Sequence, residues 1–221
     1  MNAKICVSTK ARDLEELVKN AVEAERAGAD LVEARLDYLP SHEGIGEIPR
    51  SVNVPVIATA RSAAEGGGFE GGEESRARLL GKAAESGFRY LDVELGSKAL
   101  EKLSGKGNLI VSWHDFASTP GVEELEEVLD RSIRSGAEIA KIVTTAERSA
   151  DNITVLRFLA RHARSRKMVC FAMGEEGLPS RVLSPLFGSA FTYASLGRGK
   201  ETAPGQVPVK ELKQMLRDLS L

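Results

Sequence analysis

The sequence predicts an α/β protein, namely a single-domain (β/α)8 barrel of the TIM type that covers residues 1–221. Eight short β-rich runs alternate with amphipathic helical segments, and eight parallel strands are the number that closes such a barrel. A length of 221 residues suits one large α/β domain. An open, doubly wound sheet is the alternative, but the Gly-x-Gly-x-x-Gly fingerprint is absent after the first strand. The glycine-rich residues 66–72 interrupt the alternation for one loop only, so we expect one domain.

Periodicity places the individual elements along the chain. The predicted strands are residues 4–8, 31–36, 54–60, 90–95, 109–113, 139–144, 168–173 and 191–195. The predicted amphipathic helices are residues 13–27, 73–86, 122–135, 147–165 and 209–219. Weaker patterns at residues 39–50, 97–103 and 181–187 predict short helices that complete the repeat.

Composition excludes several classes of protein. Lys and Arg number 30 against 32 Asp and Glu, without a basic block, so no nucleic-acid partner is expected. The longest apolar run, residues 168–173, is far shorter than the roughly 18 residues of a membrane span. The first predicted strand follows the N-terminal residues at once, and these residues lack the apolar core of a signal peptide. This predicts a cytoplasmic protein.

The cysteines and histidines indicate no metal site. Cys6 and Cys170 each lie in a short apolar run, and we expect two buried thiols. The three histidines at positions 42, 114 and 162 form no cluster with zinc-ligand spacing. Neither a metal nor an organic cofactor is therefore expected.

Charged residues interrupt the second predicted strand. Strands of a parallel sheet are usually apolar on both faces, so a charge inside one requires a reason. Alternation puts Glu33, Arg35 and Asp37 on one face, which in a barrel points inward or toward the catalytic mouth at the carboxyl ends of the strands. The alternative is an ion pair that only fills the barrel.

The sixth predicted strand places Lys141 among aliphatic residues. Desolvation disfavours an ammonium group, which suits an amine nucleophile. The alternative is a salt-bridged lysine, with Glu33 or Glu94 as its partner. His114 ends the preceding strand and is a candidate general base beside an imine-forming amine.

The loops that follow the third, seventh and eighth strands carry further candidates. Residues 61–72 contain Arg61 and Glu65 and include five glycines in seven residues, which indicates a flap or a close approach of backbone to ligand. Arg181 suits a carboxylate through its forked guanidinium. The segment 197–200, Gly-Arg-Gly-Lys, lacks the Ser or Thr of a P-loop.

Taken together, these motifs resemble the type I 3-dehydroquinate dehydratases, Schiff-base enzymes of the shikimate pathway of aromatic amino acid biosynthesis. The matching pieces occur in the family's order and span nearly the whole chain. They are Glu33-Ala-Arg-Leu-Asp37, Thr59-Ala-Arg-Ser-Ala-Ala-Glu65-Gly-Gly, Ser112-Trp-His-Asp-Phe116 with Thr119-Pro120, Ala140-Lys-Ile142, Met173-Gly174 with Ser180-Arg181, and Ala203-Pro-Gly-Gln206. Thr202 stands where the family generally has Ser, so the hydroxyl is retained.

The resemblance implies a lyase that dehydrates 3-dehydroquinate without a cofactor. It implies that Lys141 forms the imine, that His114 is the general base and acid, and that Glu65 supports His114. It further implies a substrate-binding set in which Glu33 and Arg35 contact the ring hydroxyls and Arg61 helps to organise the polar pocket. In the same set, Arg181 and Gln206 bind the substrate carboxylate, and the Thr202 hydroxyl keeps the contact of the family's Ser. Glu70 precedes a second Gly-Gly pair, so the sequence leaves the choice between Glu65 and Glu70 open.

Two other functions stay open at the level of sequence. A class I aldolase would share the lysine, and residues 197–200 would then be its phosphate site. A catalytically silent barrel would bind a carboxylate metabolite or a protein partner. The oligomeric state also stays open, a homodimer being one option.

Overall fold

In the computed structural model, which describes residues 3–219, eight parallel strands form one sheet that curves into a nearly closed barrel. The predicted (β/α)8 fold is confirmed. The strands are β1 (Ile5–Thr9), β2 (Leu31–Arg35), β3 (Val56–Thr59), β4 (Tyr90–Glu94), β5 (Asn108–His114), β6 (Ile139–Thr145), β7 (Met168–Met173) and β8 (Thr192–Ser195). Their order in the sheet is β7-β6-β5-β4-β3-β2-β1-β8, and every neighbouring pair is parallel.

Helices connect the strands and cover the outside of the sheet. They are α1 (Leu14–Arg26), α2 (Glu47–Arg50), α3 (Glu73–Glu85), α4 (Lys98–Leu103), α5 (Val122–Arg134), α6 (Ser149–His162), α7 (Leu178–Leu183) and α8 (Val209–Asp218). Short 3-10 helices add Leu36–Tyr38, Ala63–Glu65 and Ser184–Phe187. The three segments expected to be weak indeed hold the shortest helices, α2, α4 and α7.

The two end strands of the sheet, β7 and β8, face each other across the remaining gap. The backbone NH of Ala190, just before β8, donates to the carbonyl of Met168 at the start of β7, with an N–O distance of 2.8 Å. Higher in the barrel, the rings of Phe171 and Tyr193 approach with their centroids 6.1 Å apart. Side-chain packing therefore supplements the hydrogen bonding that closes the barrel.

Local hydrogen bonds explain where the predicted bounds of α6 were too wide. The helix was expected from residue 147 but begins at Ser149, because the Asp151 carboxylate accepts hydrogen bonds from the backbone NH groups of Glu147 and Arg148. These bonds satisfy NH groups at the helix start and hold residue 148 in an extended conformation. Residues 1, 2, 220 and 221, which the predicted domain includes, lie outside the described residues.

Apolar residues pack in separate layers inside and outside the sheet. One cluster consists of strand residues and their immediate neighbours, among them Leu31, Ile57, Ile110 and Val169, and fills the interior of the barrel. Two larger clusters join the sheet to the helices. Cys6 and Cys170 are both free and buried, as expected. Within residues 3–219, no helix combines the length and the hydropathy that crossing a membrane requires.

We predict that Phe158→Ala lowers the free energy of unfolding by about 3–5 kcal/mol. Phe158 lies on α6, is 1% exposed and packs in the cluster between α5, α6 and the sheet. Ile153→Ala on the same helix is the matched control, because Ile153 is 59% exposed and should change stability by no more than about 0.5 kcal/mol. Urea unfolding of both variants measures the two losses, and equal losses would contradict the burial of Phe158 between α6 and the sheet.

Candidate active site

Lys141 lies in the middle of β6, inside the barrel, and is paired with acidic side chains. Its ammonium nitrogen Nζ is 2.9 Å from Oδ2 of Asp92 and 3.5 Å from Oε1 of Glu33. The same nitrogen lies 4.5 Å from the centre of the Tyr193 ring. Of the two partners named in the alternative of a salt-bridged lysine, Glu33 is correct and Glu94 is wrong, because the Glu94 carboxylate pairs with arginines instead.

Hydroxyl groups surround the Glu33 carboxylate. Ser8 donates to one oxygen, and Thr59 donates to the other at 3.0 Å. The Tyr193 hydroxyl donates to that second oxygen at 3.3 Å. Burial and the neighbouring Glu33 charge raise the pKa of Tyr193, so its hydroxyl keeps its proton and stays a donor. These hydrogen bonds allow an ionised carboxylate to stay in the barrel interior.

Arg61 follows β3 and joins the acidic groups to the histidine. It contacts Asp92 (2.6 Å), Ser112 (3.1 Å), Glu65 (3.3 Å), His114 (3.4 Å) and Glu94 (3.5 Å). Burial opposes its charge, but the surrounding carboxylates outweigh burial and raise its pKa further above the ordinary arginine value. Burial alone would likewise raise the pKa of Asp92, yet Arg61 and Lys141 hold it well below its usual range. Both groups are therefore charged at neutral pH.

His114 ends β5, and burial favours the neutral form of its ring. Burial lowers its pKa well below the usual histidine value, and the cations of Arg61 and Lys141 lower it further. Its ring stacks on Phe116, with the ring centroids 5.6 Å apart. A neutral imidazole accepts a proton, which is the first requirement of a general base.

The structure brings Glu65, rather than Glu70, to His114. Oε2 of Glu65 is 3.5 Å from Nδ1 of His114, whereas Glu70 is exposed and lies outside the cavity. Burial raises the pKa of the Glu65 carboxyl, and the Arg61 guanidinium offsets part of that effect. Gly67 permits this loop conformation, since a Cβ there would lie 2.1 Å from the Arg61 carbonyl oxygen.

Arg35 and Arg181 lie on different sides of the site and differ in what neutralises them. Asp37 binds Arg35 through two hydrogen bonds of 2.9 and 2.7 Å. Arg181, on α7, donates to the Pro204 carbonyl at 3.1 Å and stacks over the Phe171 ring at 4.5 Å. Its Nε has no hydrogen-bond partner among the described residues, and burial lowers its pKa to about 10. A buried guanidinium without a carboxylate beside it is suited to bind an anion.

All nine candidate residues line one cavity of about 250 Å³. It lies at the carboxyl ends of the strands, where catalytic groups of barrel enzymes lie. Its walls include Lys141, His114, Glu65, Glu33, Arg35, Arg61, Arg181, Thr202 and Gln206. The loop after β8 completes it, because the Gln206 amide oxygen accepts from the Thr202 backbone NH at 2.9 Å. Gly199 and Lys200 of the candidate phosphate motif line a separate cavity instead.

Sequence reasoning missed Asp92, the nearest acidic partner of both Lys141 and Arg61. The signal was available, because Asp92 interrupts the apolar strand β4 in the same way that Glu33 interrupts β2. Tyr193 was also missed, and its pattern carried no signal because an aromatic residue is ordinary in a strand. Among the described residues, no group of three or more His, Cys, Asp and Glu side chains is arranged to hold a metal ion.

The fold and the site define a class of protein: a TIM-barrel enzyme with a buried lysine, a neutral histidine and three arginines around one polar cavity. Comparison with known proteins narrows the class. The family model for type I 3-dehydroquinase matches residues 5–221. The chain belongs to the type I 3-dehydroquinase family, which confirms the resemblance inferred from the motifs.

Two relatives and one solved structure of this family are similar to this chain over nearly their whole length. A 3-dehydroquinate dehydratase of Methanothermobacter thermautotrophicus is 40% identical over 224 residues, which cover 99% of this chain and 98% of the relative. One from Dehalococcoides mccartyi is 38% identical over 219 residues, covering 97% and 95%. The crystal structure of type I 3-dehydroquinate dehydratase from Clostridium difficile, with covalently modified comenic acid, has a TM-score of 0.87 at 28% identity. That alignment covers 98% of this chain and 92% of that one.

We predict that Asp92→Asn lowers the free energy of unfolding by about 3–5 kcal/mol, because it leaves two buried cations short of a counter-charge. Glu74→Gln is the matched control. Glu74 pairs with Arg78 and Lys102, but its side chain is 60% exposed, so its loss should cost no more than about 1 kcal/mol. Urea unfolding near pH 7 measures both, and a loss for Asp92→Asn no larger than that of the control would contradict the prediction.

Proposed function

We propose that this chain converts 3-dehydroquinate to 3-dehydroshikimate and water through an imine on Lys141. The observation that carries the proposal is one cavity lined by Lys141, His114 and Arg181, a buried guanidinium whose Nε has no hydrogen-bond partner among the described residues. Membership of the type I 3-dehydroquinase family supports the same reaction. The aldolase alternative loses its support, since Gly199 and Lys200 line a different cavity.

The first step in the proposal is attack of the Lys141 amine on the ring ketone. The ammonium must first give one proton to solvent, so that the free amine attacks the carbonyl carbon and forms a carbinolamine. The carbinolamine takes one proton back from solvent as its hydroxyl leaves as water, and the protonated imine that remains carries the same positive charge as the original ammonium. Asp92 and Glu33 therefore keep a cation beside them, and the electron sink forms without a net change of buried charge.

Proton transfer by His114 completes the dehydration. The neutral imidazole removes the proton next to the imine carbon, which turns the protonated imine into a neutral enamine and the imidazole into an imidazolium. The enamine then expels the β-hydroxyl, and the imidazolium supplies the proton with which it leaves as water. Hydrolysis of the conjugated imine releases the product and frees Lys141. Glu65, 3.5 Å from the ring nitrogen, is proposed to orient His114 and stabilise its charged form.

Polar side chains around the cavity are proposed to bind the substrate. Arg181 binds its carboxylate, assisted by Thr202 and Gln206 on the loop after β8. Glu33 and Arg35 contact ring hydroxyls from β2. Arg61 acts chiefly by organising the acidic groups and His114, because most of its hydrogen-bonding capacity is already used.

We predict that Lys141→Met abolishes turnover of 3-dehydroquinate and that borohydride traps no adduct on this variant. Methionine keeps the length and apolar stem of the lysine but has no amine to form an imine. The assay follows the ultraviolet absorbance of the conjugated enone, and mass spectrometry detects the reduced adduct on the wild-type protein.

Lys167→Met is the control, because the Lys167 side chain is 66% exposed and lies outside the cavity. It should retain full turnover. Continued turnover by folded Lys141→Met would reject the imine, and a folded wild-type protein that forms no enone would reject the dehydratase assignment altogether.

We predict that kcat of the wild-type protein stays level as the pH falls through about 6.5, the ordinary pKa of histidine. Because the pKa of His114 is lowered in the folded protein, the imidazole stays neutral and active below that pH. Protonation then reduces kcat only at lower pH. A pH profile of kcat tests this, and a decline centred at or above 6.5 would contradict it.

The variant His114→Ala separates proton transfer from imine formation. It should lower kcat by about 10² to 10⁴ while an adduct can still be trapped on Lys141. His162→Ala, on the outer helix α6, is the matched control and should turn over normally. Loss of the adduct in folded His114→Ala would show that the histidine acts in binding or imine formation instead.

A further inference from the structure

A chain of buried ionic contacts continues from the active site to the outer helix α3. Arg76, on α3, is 2% exposed, and its Nη1 lies 2.6 Å from Oε2 of Glu94. Glu73 and Ser97 contact the guanidinium from its other side, with Oε1 of Glu73 2.8 Å from Nη2. Arg76 is therefore held in one place although it lies outside the barrel wall.

Glu94 links Arg76 to the groups around the cavity. Its second oxygen, Oε1, accepts a hydrogen bond from the backbone NH of Ser62 at 3.1 Å and lies 3.5 Å from Nη1 of Arg61. Ser62 begins the short segment that carries Glu65 to His114. Neither Arg76 nor Glu94 lines the cavity of about 250 Å³, so neither is placed to contact the substrate.

We infer that Arg76 is a positioning residue, which acts through Glu94 to hold Arg61 and the Glu65 segment in place beside His114. The inference rests on the proposed function of the site. Arg76 supplies the second positive charge that Glu94 requires, and this leaves Arg61 free to stay on Asp92, Ser112 and His114.

The charges around His114 determine the direction in which its pKa would change in variants of Arg76 and Glu94. The charged groups that act on His114 come from several elements: Arg61 and Glu65 after β3, Asp92 on β4, Lys141 on β6 and Arg35 on β2. Without Arg76, Arg61 is the one cation of residues 3–219 that still pairs with Glu94, so the surroundings of His114 become more negative and favour the imidazolium. Without the Glu94 charge, the surroundings become more positive and disfavour the imidazolium.

The test compares the pH profiles of kcat for Arg76→Met, Glu94→Gln and the double variant. Arg76→Met should lower kcat by about 10- to 100-fold, the cost of a small misplacement near the reacting groups, with KM little changed. The acidic limb of the pH profile, where kcat falls at low pH, should move to higher pH in Arg76→Met and to lower pH in Glu94→Gln. The double variant removes one positive and one negative charge together, and the glutamine at position 94 can still accept the hydrogen bond from the Ser62 backbone NH. The acidic limb of its pH profile should therefore return toward that of the wild type.

Arg78→Met is the matched control, because Arg78 lies on the same helix with a side chain that is 70% exposed. It should leave both the profile and kcat unchanged. Arg76→Lys keeps the positive charge and should retain the position of the acidic limb. If Arg76→Met does not fold, Glu94→Gln alone tests the inference, and its acidic limb should move to lower pH.

Opposite shifts that cancel in the double variant support the inference, since a purely structural role would lower the folded fraction without moving the limb. Unchanged limbs in folded Arg76→Met and Glu94→Gln, with wild-type turnover intact, would overturn it. A folded wild-type protein without turnover of 3-dehydroquinate would instead overturn the proposed function, so the two failures are distinguishable.

Discussion

The ion pair between Lys141 and Asp92 is the contact on which the arrangement of the cavity depends. An ammonium group in the interior of a barrel is unfavourable unless carboxylates neutralise it and hydrogen bonds satisfy them. Asp92 meets this need for Lys141 at 2.9 Å and for Arg61 at 2.6 Å, so one carboxylate couples β6 to the loop after β3. Arg61 in turn contacts His114, which places the candidate base and the candidate nucleophile in one electrostatic unit.

The interior of the barrel is apolar toward the amino ends of the strands and polar toward their carboxyl ends. Toward the amino ends of the strands the interior contains residues such as Leu31, Ile57 and Ile110, which bury apolar surface without polar requirements. Two positions further along the same strands stand Glu33, Thr59 and Ser112, whose polar groups contact one another or Arg61. Because alternation directs side chains two residues apart to the same face, a shift of one residue in any strand would move these groups out of the interior.

Much of this could be predicted from the sequence, because it depends on local patterns. Alternating strands and helices established the barrel, and the charges in β2 and β6 marked strands that face a polar cavity. Asp92 was missed although β4 carries the same pattern, since a pattern shows which residues point inward but not which of them meet across the barrel. The choice of Glu65 over Glu70 also required the structure, because it depends on the 3-10 helix Ala63–Glu65 and on the close approach of Gly67 to Arg61.

The arginines differ in what neutralises them, and this difference bears on how the cavity would bind an anion. Arg35 is bound by Asp37 through two hydrogen bonds, and Arg61 is surrounded by carboxylates. Arg181 has a carbonyl and an aromatic face as neighbours, and burial lowers its pKa because no carboxylate offsets it. An anion that reaches Arg181 therefore supplies the missing counter-charge, whereas at Arg61 it would have to compete with Asp92. The distribution of charges thus favours Arg181 as the proposed carboxylate site, since within residues 3–219 the structure shows a carbonyl and an aromatic ring, but no carboxylate, bound to its guanidinium.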